Sequence, residues 1–257
     1  MDPIETQRKL EALYTQWKND LDFPPEEQNL LTPPYLVHVT EDYCNANVRV
    51  LVYGQETAGW GWDHEQQHRR AREGEVWSFN DIWTCYDFFE NPDSVQALCY
   101  AYRMFEFGRT HNSPFWQAFS AVRNWPNVGV LASNLVRMAF APAEDGRGLS
   151  IRYAPQELRD RLLSQQAWLV TRELEVLKPH VCLFFTGPNY DVFLKSIFTD
   201  CGFDAFCDVP TRGLARLTHG DLPRMSFRTY HPRWLRRNRL WHYIDDMRAQ
   251  VIPPPGG

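Results

Sequence analysis

The sequence has no long apolar run. Its cleanest stretches, such as Val181 to Phe185, are of strand length, against the roughly 18 residues that a membrane-spanning helix needs. The first residues, MDPIETQRKLEALYTQW, carry no apolar core followed by a small-residue cleavage site, so no secretory signal is expected and a cytoplasmic, soluble protein is. Closely spaced cysteines are missing too. Of Cys44, Cys85, Cys99, Cys182, Cys201 and Cys207, the closest pair has five residues between its members. Zinc ribbons and four-cysteine iron–sulfur sites need tighter ligand pairs, which leaves buried, reduced thiols as the expected state. His64 and His68 are four apart and could share a helix face, but no third ligand accompanies them, and a solvated polar loop is favoured. No metal and no cofactor are expected. The 14 glycines and 18 prolines are near ordinary usage, so collagen-like and low-complexity readings fall away.

A basic total is also lacking: the net charge is −5, which for the whole chain argues against a polyanionic partner. The distribution reverses that argument. Between Thr211 and Arg239 stand Arg212, Arg216, Arg224, Arg228, Arg233, Arg236, Arg237 and Arg239 against the single Asp221, a local +7 that leaves −12 for the rest. A solvated arginine face normally interleaves acids at helical spacing. Their absence points to phosphates as the partner of this segment.

What is present is 257 residues, 44% apolar and 23% charged, enough for a full core. A single domain is expected over 1–257, with residues 1–45 as a helical extension and 252–257 as a tail. Ile4, Leu10, Leu13, Tyr14, Trp17 and Leu21 fall at helical spacing. Val48 to Tyr53, Val128 to Ser133, Val181 to Thr186 and Met225 to Tyr230 read as four strands, with Leu214 to Thr218 as a further edge candidate. Helices are predicted within Ile82 to Val122, over Pro155 to Lys178, from Gly187-Pro188 through Phe198, and from Trp234 to Val251. Apolar strands alternating with helices predict an α/β fold, an α/β/α sandwich on a central, mainly parallel four-stranded sheet. In such sheets the site lies beyond the carboxyl ends of the strands.

The residues at those ends carry the chemistry. After the first strand comes GQETAGWGW, which has no Gly-Lys-Ser/Thr and is therefore not a P-loop. Glu56 at a strand end suits a general base for water, and equally a helix cap or an ion-pair partner. Asn134 ends the second strand and offers a donor and an acceptor side by side, suited to a base edge or to capping the next helix. His231 is held by the following Pro232 in an extended or turn geometry, so its imidazole is aimed.

In this order, GQETAG at 54 to 59, GVLASNLVRM at 129 to 138, CLFFTG at 182 to 187 and HPRWLR at 231 to 236 resemble the motifs of the uracil-DNA glycosylase superfamily, most closely its first family. That family carries GQDPYH, an apolar strand ending in Asn, an apolar strand ending in Gly, and HPSPLS. The resemblance implies that Glu56 replaces the water-activating Asp, with Gln55 in the same loop. It further implies that Asn134 reads the base, His231 stabilises charge on the departing base, and Leu235 enters the duplex as a wedge. Arg233, Trp234, Arg236 and Arg237 around it would contact DNA, which is the expected partner of a protein expected to be monomeric. Trp77 would stack on the base, with Phe79 as the competing choice.

The departures from the family matter as much. Ala58 stands where the family's Tyr excludes a substituent at C5 of the pyrimidine, and an insertion carrying Trp60, Trp62, Arg69, Arg70 and Arg72 follows. The open C5 side suggests a bulky modified pyrimidine, such as the glucosylated hydroxymethylcytosine of some phage genomes, and hence a role in antiviral defence. Uracil repair, a catalytically inactive DNA-binding module and a small-molecule nucleoside hydrolase are the alternatives. The motifs contain no lysine for a Schiff base, so monofunctional hydrolysis to an abasic site is expected, without lyase chemistry.

Overall fold

The computed structural model describes residues 1–57, 88–108, 113–141 and 149–252. One sheet contains β1 (Val48–Gly54), β2 (Val128–Asn134), β3 (Val181–Phe184), β4 (Gly202–Ala205), β5 (Leu214–Thr218) and β6 (Met225–Thr229), in the order β2-β1-β3-β6-β5-β4. The four strands β2, β1, β3 and β6 run parallel, while β5 and β4 are added antiparallel. The chain is therefore α/β, and its sheet has six strands where four were expected. The parallel four are the predicted ones. β1, β2 and β3 are mostly apolar because a parallel strand is covered on both faces, while β6 (MSFRT) also buries Ser226, Arg228 and Thr229. The edge candidate Leu214 to Thr218 is β5, which is paired on both sides, so the edge falls to β4. The sequence of β4, GFDA, is short and half exposed and contains no β-branched residue, so it carries little strand signal.

Nine helices occur among the described residues: α1 (Pro3–Asp20), α2 (Pro25–Gln28), α3 (Glu41–Asn45), α4 (Ser94–Gly108), α5 (Pro114–Arg123), α6 (Gln156–Leu177), α7 (Asp191–Ile197), α8 (Pro232–Arg237) and α9 (Tyr243–Val251). Helix α1 opens on Asp2, whose side chain accepts from the Glu5 amide at 2.9 Å, with Pro3 in the first turn. It buries Leu10, Tyr14 and Trp17 completely and packs against α6. Residues 1–45 are thus part of the core, where an extension was expected. Helices α6 and α7 pack together, and α5, α8 and α9 form another group against β2 and β6. The crossover from β1 to β2 runs in one direction along the sheet and that from β2 to β3 in the other. Right-handed connections then put α5 and α6 on opposite faces.

The expected last helix from Trp234 to Val251 is two helices. Arg239 adopts the left-handed conformation at φ 59°. The Leu240 amide then reaches back to the Leu235 carbonyl at 2.8 Å and the Arg239 amide to Arg236 at 3.2 Å, a Schellman ending. Among the described residues no helix is long and apolar enough to cross a membrane. Of the described cysteines Cys44, Cys99, Cys182 and Cys201 are buried, whereas Cys207 is exposed.

Beneath the carboxyl end of β2 lies a buried polar network, in which Arg137 Nε alone of the guanidinium nitrogens has no partner among the described residues. Arg137, wholly buried, donates to Ser133 and to the equally buried Glu173, whose other oxygen accepts from the Tyr14 hydroxyl. Tyr14 in turn accepts from the Val37 amide at 3.1 Å, and the Arg137 amide donates to Gln166 at 2.9 Å. Two charges taken out of water need this degree of satisfaction. The network fixes the segment that follows Asn134.

Candidate functional site

The strand order reverses beside β1, because β2 and β3 flank it on opposite sides. A crevice at the carboxyl ends of β1 and β3 is the usual ligand position in such a sheet. Gly54 pairs with Asn134 in register. A Cβ at position 54 would come within 2.6 Å of Asn134 Oδ1 and 3.1 Å of the Phe115 ring, so a larger residue there would push the Asn134 amide aside. Gln55 donates through Nε2 to the Thr186 carbonyl at 2.7 Å and ties the end of β1 to the end of β3. Gly187 turns at φ 76°, donates to the Thr229 carbonyl at 2.9 Å, and lies beside the backbone of His231. Asn134, Gly54-Gln55, Thr186-Gly187 and His231 therefore stand on four adjacent strands. Three inter-strand spacings span about 14 Å, a length that a nucleotide can bridge.

Glu56 is held on both oxygens. Oε1 accepts from the Tyr190 hydroxyl, and Oε2 from the Ile151 amide at 2.7 Å. Burial raises its pKa, and the hydrogen bonds from Tyr190 and Ile151, together with Ser150 and Arg152, offset part of the rise. A base whose pKa is moved toward neutrality is stronger when ionised. Of the alternative structural roles, the ion pair is not found among the described residues. Capping is, in a long-range form, since Ile151 begins a 3-10 turn.

The Asn134 side chain has no hydrogen-bond partner among the described residues. It is 8% exposed, and it caps no helix. An amide without a partner at the end of a sheet strand is suited to a ligand's edge. Because the two ends of an amide are exchanged by a half-turn, the group serves a uracil-like or a cytosine-like edge equally well.

His231 caps α8: its Nδ1 accepts from the Arg233 amide at 3.2 Å. Burial, and then the nearby Arg233 charge, push its pKa down to about 4. The imidazole is therefore neutral at physiological pH, with Nδ1 occupied as an acceptor and the proton on Nε2, free to donate.

Leu235, the expected wedge, is fully buried. It faces inward from α8, where the Schellman ending folds Leu240 onto the same apolar cluster. The exposed apolar side chain of this helix is Trp234, 48% exposed and packed against Tyr230 with ring centroids 5.7 Å apart. Arg228 also leaves the surface cluster: it is 2% exposed and bound to Asp191 at 2.9 Å and to the Thr211 and Arg212 carbonyls. Arg224 precedes β6 and lies at the opposite edge of the sheet. Arg212, Arg233, Arg236, Arg237 and Arg239 remain exposed near the carboxyl edge, none with a carboxylate within 4.0 Å among the described residues.

Ala58, Trp77, Phe79, the Trp60 to Trp77 insertion and the His64/His68 pair lie outside the described residues. Among those described, no three His, Cys, Asp or Glu side chains gather as metal ligands. Sequence reasoning missed Phe115, Tyr190 and Ser150. Phe115 reads as an ordinary apolar residue of a helix start, after the Ser113 cap and Pro114; Tyr190 and Ser150 are far from Glu56 in sequence. The one available signal was position, since Tyr190 closely follows the Gly that ends the CLFFTG motif. No protein-family model matches the chain, and no curated protein matches it.

Proposed function

We propose that this protein is a monofunctional DNA glycosylase with a uracil-DNA glycosylase-like α/β/α fold, acting on a flipped-out pyrimidine with a bulky C5 substituent, such as glucosylated hydroxymethylcytosine in phage DNA. The observation that carries the reading is the side-chain amide of Asn134, without a hydrogen-bond partner among the described residues, at the end of β2 beside Gly54, Phe115 and the Gln55–Thr186 tie. A base inserted there meets donor and acceptor together. Phe115 takes the stacking role beside it, and Trp234 takes the place of Leu235 as the side chain that enters the stack.

The chemistry follows from the flanking groups. A water oxygen attacks C1′ while its proton passes to the ionised Glu56. The C1′–N bond breaks with its electron pair going to the base nitrogen, and the Nε2–H of His231 donates to the charge gathering on the base. An abasic site remains. Exposed arginines around α8 grip phosphates, a sequence-independent attraction that falls with salt. The substrate preference rests on Ala58 in the sequence, where an aromatic wall would exclude C5 groups.

A DNA-binding module without hydrolysis is the second reading, favoured by the fact that both Glu56 oxygens already accept hydrogen bonds. One assay separates the two. DNA carrying uracil, hydroxymethylcytosine or glucosylated hydroxymethylcytosine is incubated with the protein and probed for alkali-sensitive breaks and free base. Breaks confined to the glucosylated DNA support the proposal. Breaks in uracil DNA alone would return the protein to uracil repair, and binding with no breaks in any DNA would make it the inactive module.

A further inference from the structure

A carboxylate cannot donate, so the hydroxyl proton of Tyr190 must lie toward Glu56. The Ser150 hydroxyl, 2.9 Å from Tyr190 Oη, must then donate to that oxygen, and it accepts weakly from the Arg152 amide at 3.4 Å. The donors thus point one way, from Ser150 through Tyr190 to Glu56, and such chains polarise one another. Each Glu56 oxygen spends one acceptor position on the protein, Oε1 on Tyr190 and Oε2 on the Ile151 amide. One position on each oxygen is left for water. Tyr190 itself has little freedom: it is 3% exposed, ends a short turn opened by Gly187, and packs edge-on against Phe193 with centroids 5.1 Å apart.

We infer that Tyr190 and Ser150 are positioning residues that orient the Glu56 carboxylate toward the attacking water and keep it ionised. The inference rests on the glycosylase reading for the identity of the reaction, and on the hydrogen-bonded chain for everything else. The groups bearing on Glu56 are Tyr190, Ser150, the Ile151 amide and the exposed Arg152. Tyr190 and the Ile151 amide favour the charged carboxylate by direct hydrogen bonds, and Ser150 acts through Tyr190, against burial, which disfavours it. Losing a purely structural contact would also move the Glu56 titration, but it would leave the pH profile and the plateau rate of the reaction where they were.

The test uses the full chain with carbon-13 in its glutamate carboxyls. Glu56 is assigned through Glu56→Gln, and its titration is followed by NMR in wild type, Tyr190→Phe and Ser150→Ala, alongside the pH dependence of base release. Tyr190→Phe is expected to move the Glu56 titration upward, to carry the acid limb of the rate upward with it, and to lower the plateau rate about 10- to 100-fold through lost orientation. Ser150→Ala is expected to do the same to a smaller extent. An unchanged Glu56 titration in a folded Tyr190→Phe protein overturns the inference. Should that variant fail to fold, an unchanged titration in Ser150→Ala overturns it instead. A titration that moves as stated in a protein that releases no base supports the chain and contradicts the glycosylase reading alone.

Discussion

Glu56 and Asn134 stand at the ends of neighbouring strands, and the protein treats them in opposite ways. Glu56 is only partly buried, yet it is gripped on both oxygens by groups from the loops after β3 and before α6. Asn134 is more deeply buried and has no hydrogen-bond partner among the described residues. The residue suited to recognition is left without a partner, and the residue suited to chemistry, where a fixed orientation matters, is held by hydrogen bonds. The same contrast recurs among the arginines: Arg228 and Arg137 are interior and paired with Asp191 and Glu173, while those of α8 face solvent with no carboxylate within 4.0 Å among the described residues.

The largest effect should come from breaking the engaged side of this contrast. Glu56→Gln is expected to lower base release about 10²- to 10⁴-fold while DNA binding persists, measured by single-turnover release and by titration with a labelled duplex. Full activity would remove Glu56 from the chemistry. Next is the support beneath Asn134: Glu173→Gln leaves the Arg137 charge buried without its counter-charge and should lower stability by about 3–5 kcal/mol in urea unfolding. A loss below about 1 kcal/mol would mean that water reaches the pair, against the full burial seen here.

Asn134→Ala sharpens the comparison from the other side. It should reduce base release by about 10- to 100-fold, the worth of a lost base-edge pair, with almost no change in unfolding free energy, because no hydrogen bond within the protein is lost. A large destabilisation would show that the amide holds the fold together. Arg236→Ala with Arg237→Ala should flatten the salt dependence of DNA binding by up to about two units of slope, and an unchanged slope would leave these arginines as a solvated surface.

The smallest effect concerns pH. His38 and His231 both have pKa values pushed down to about 4, by burial first and then by Arg103 and Arg233 respectively. The unfolded chain, with histidines near 6.5, binds more protons in this range. Stability should therefore be complete above pH 6.5 and fall as the pH drops toward 4. Glu56, with its raised pKa, contributes in the opposite sense, its protonated form being the better accommodated one. His231→Asn, which keeps a cap acceptor, should lessen the fall in thermal unfolding across this window. An unaltered pH dependence would mean that His231 is protonated in the folded protein.

The parallel strands and the residues at their ends were legible in the sequence, because buried parallel strands are apolar runs and a site must lie where they stop. The N-terminal helix was legible as a helix, but its place in the core was not, since periodicity does not say what a face packs against. Leu235 was misread because one turn of helix offers no period to distinguish its inner from its outer side; the left-handed Arg239, unmarked by a glycine, hid the helix ending that turns it inward. Tyr190 was marked only by its position shortly after Gly187. Its partner lies 134 residues away in sequence, and nothing local in Pro188–Tyr190 distinguishes a positioning hydroxyl from a core aromatic.

The account depends most on Asn134 being open because a base occupies its edge. That is tested by the side-chain amide resonances of nitrogen-15-labelled Glu56→Gln protein, assigned with Asn134→Ala, as a duplex carrying glucosylated hydroxymethylcytosine is added. The account predicts that the Asn134 side-chain signals shift with this duplex and far less with an unmodified one of the same sequence. Shifts confined to the α8 backbone, with the Asn134 amide unmoved by either duplex, would mean that the protein grips phosphates without receiving a base, and would contradict it.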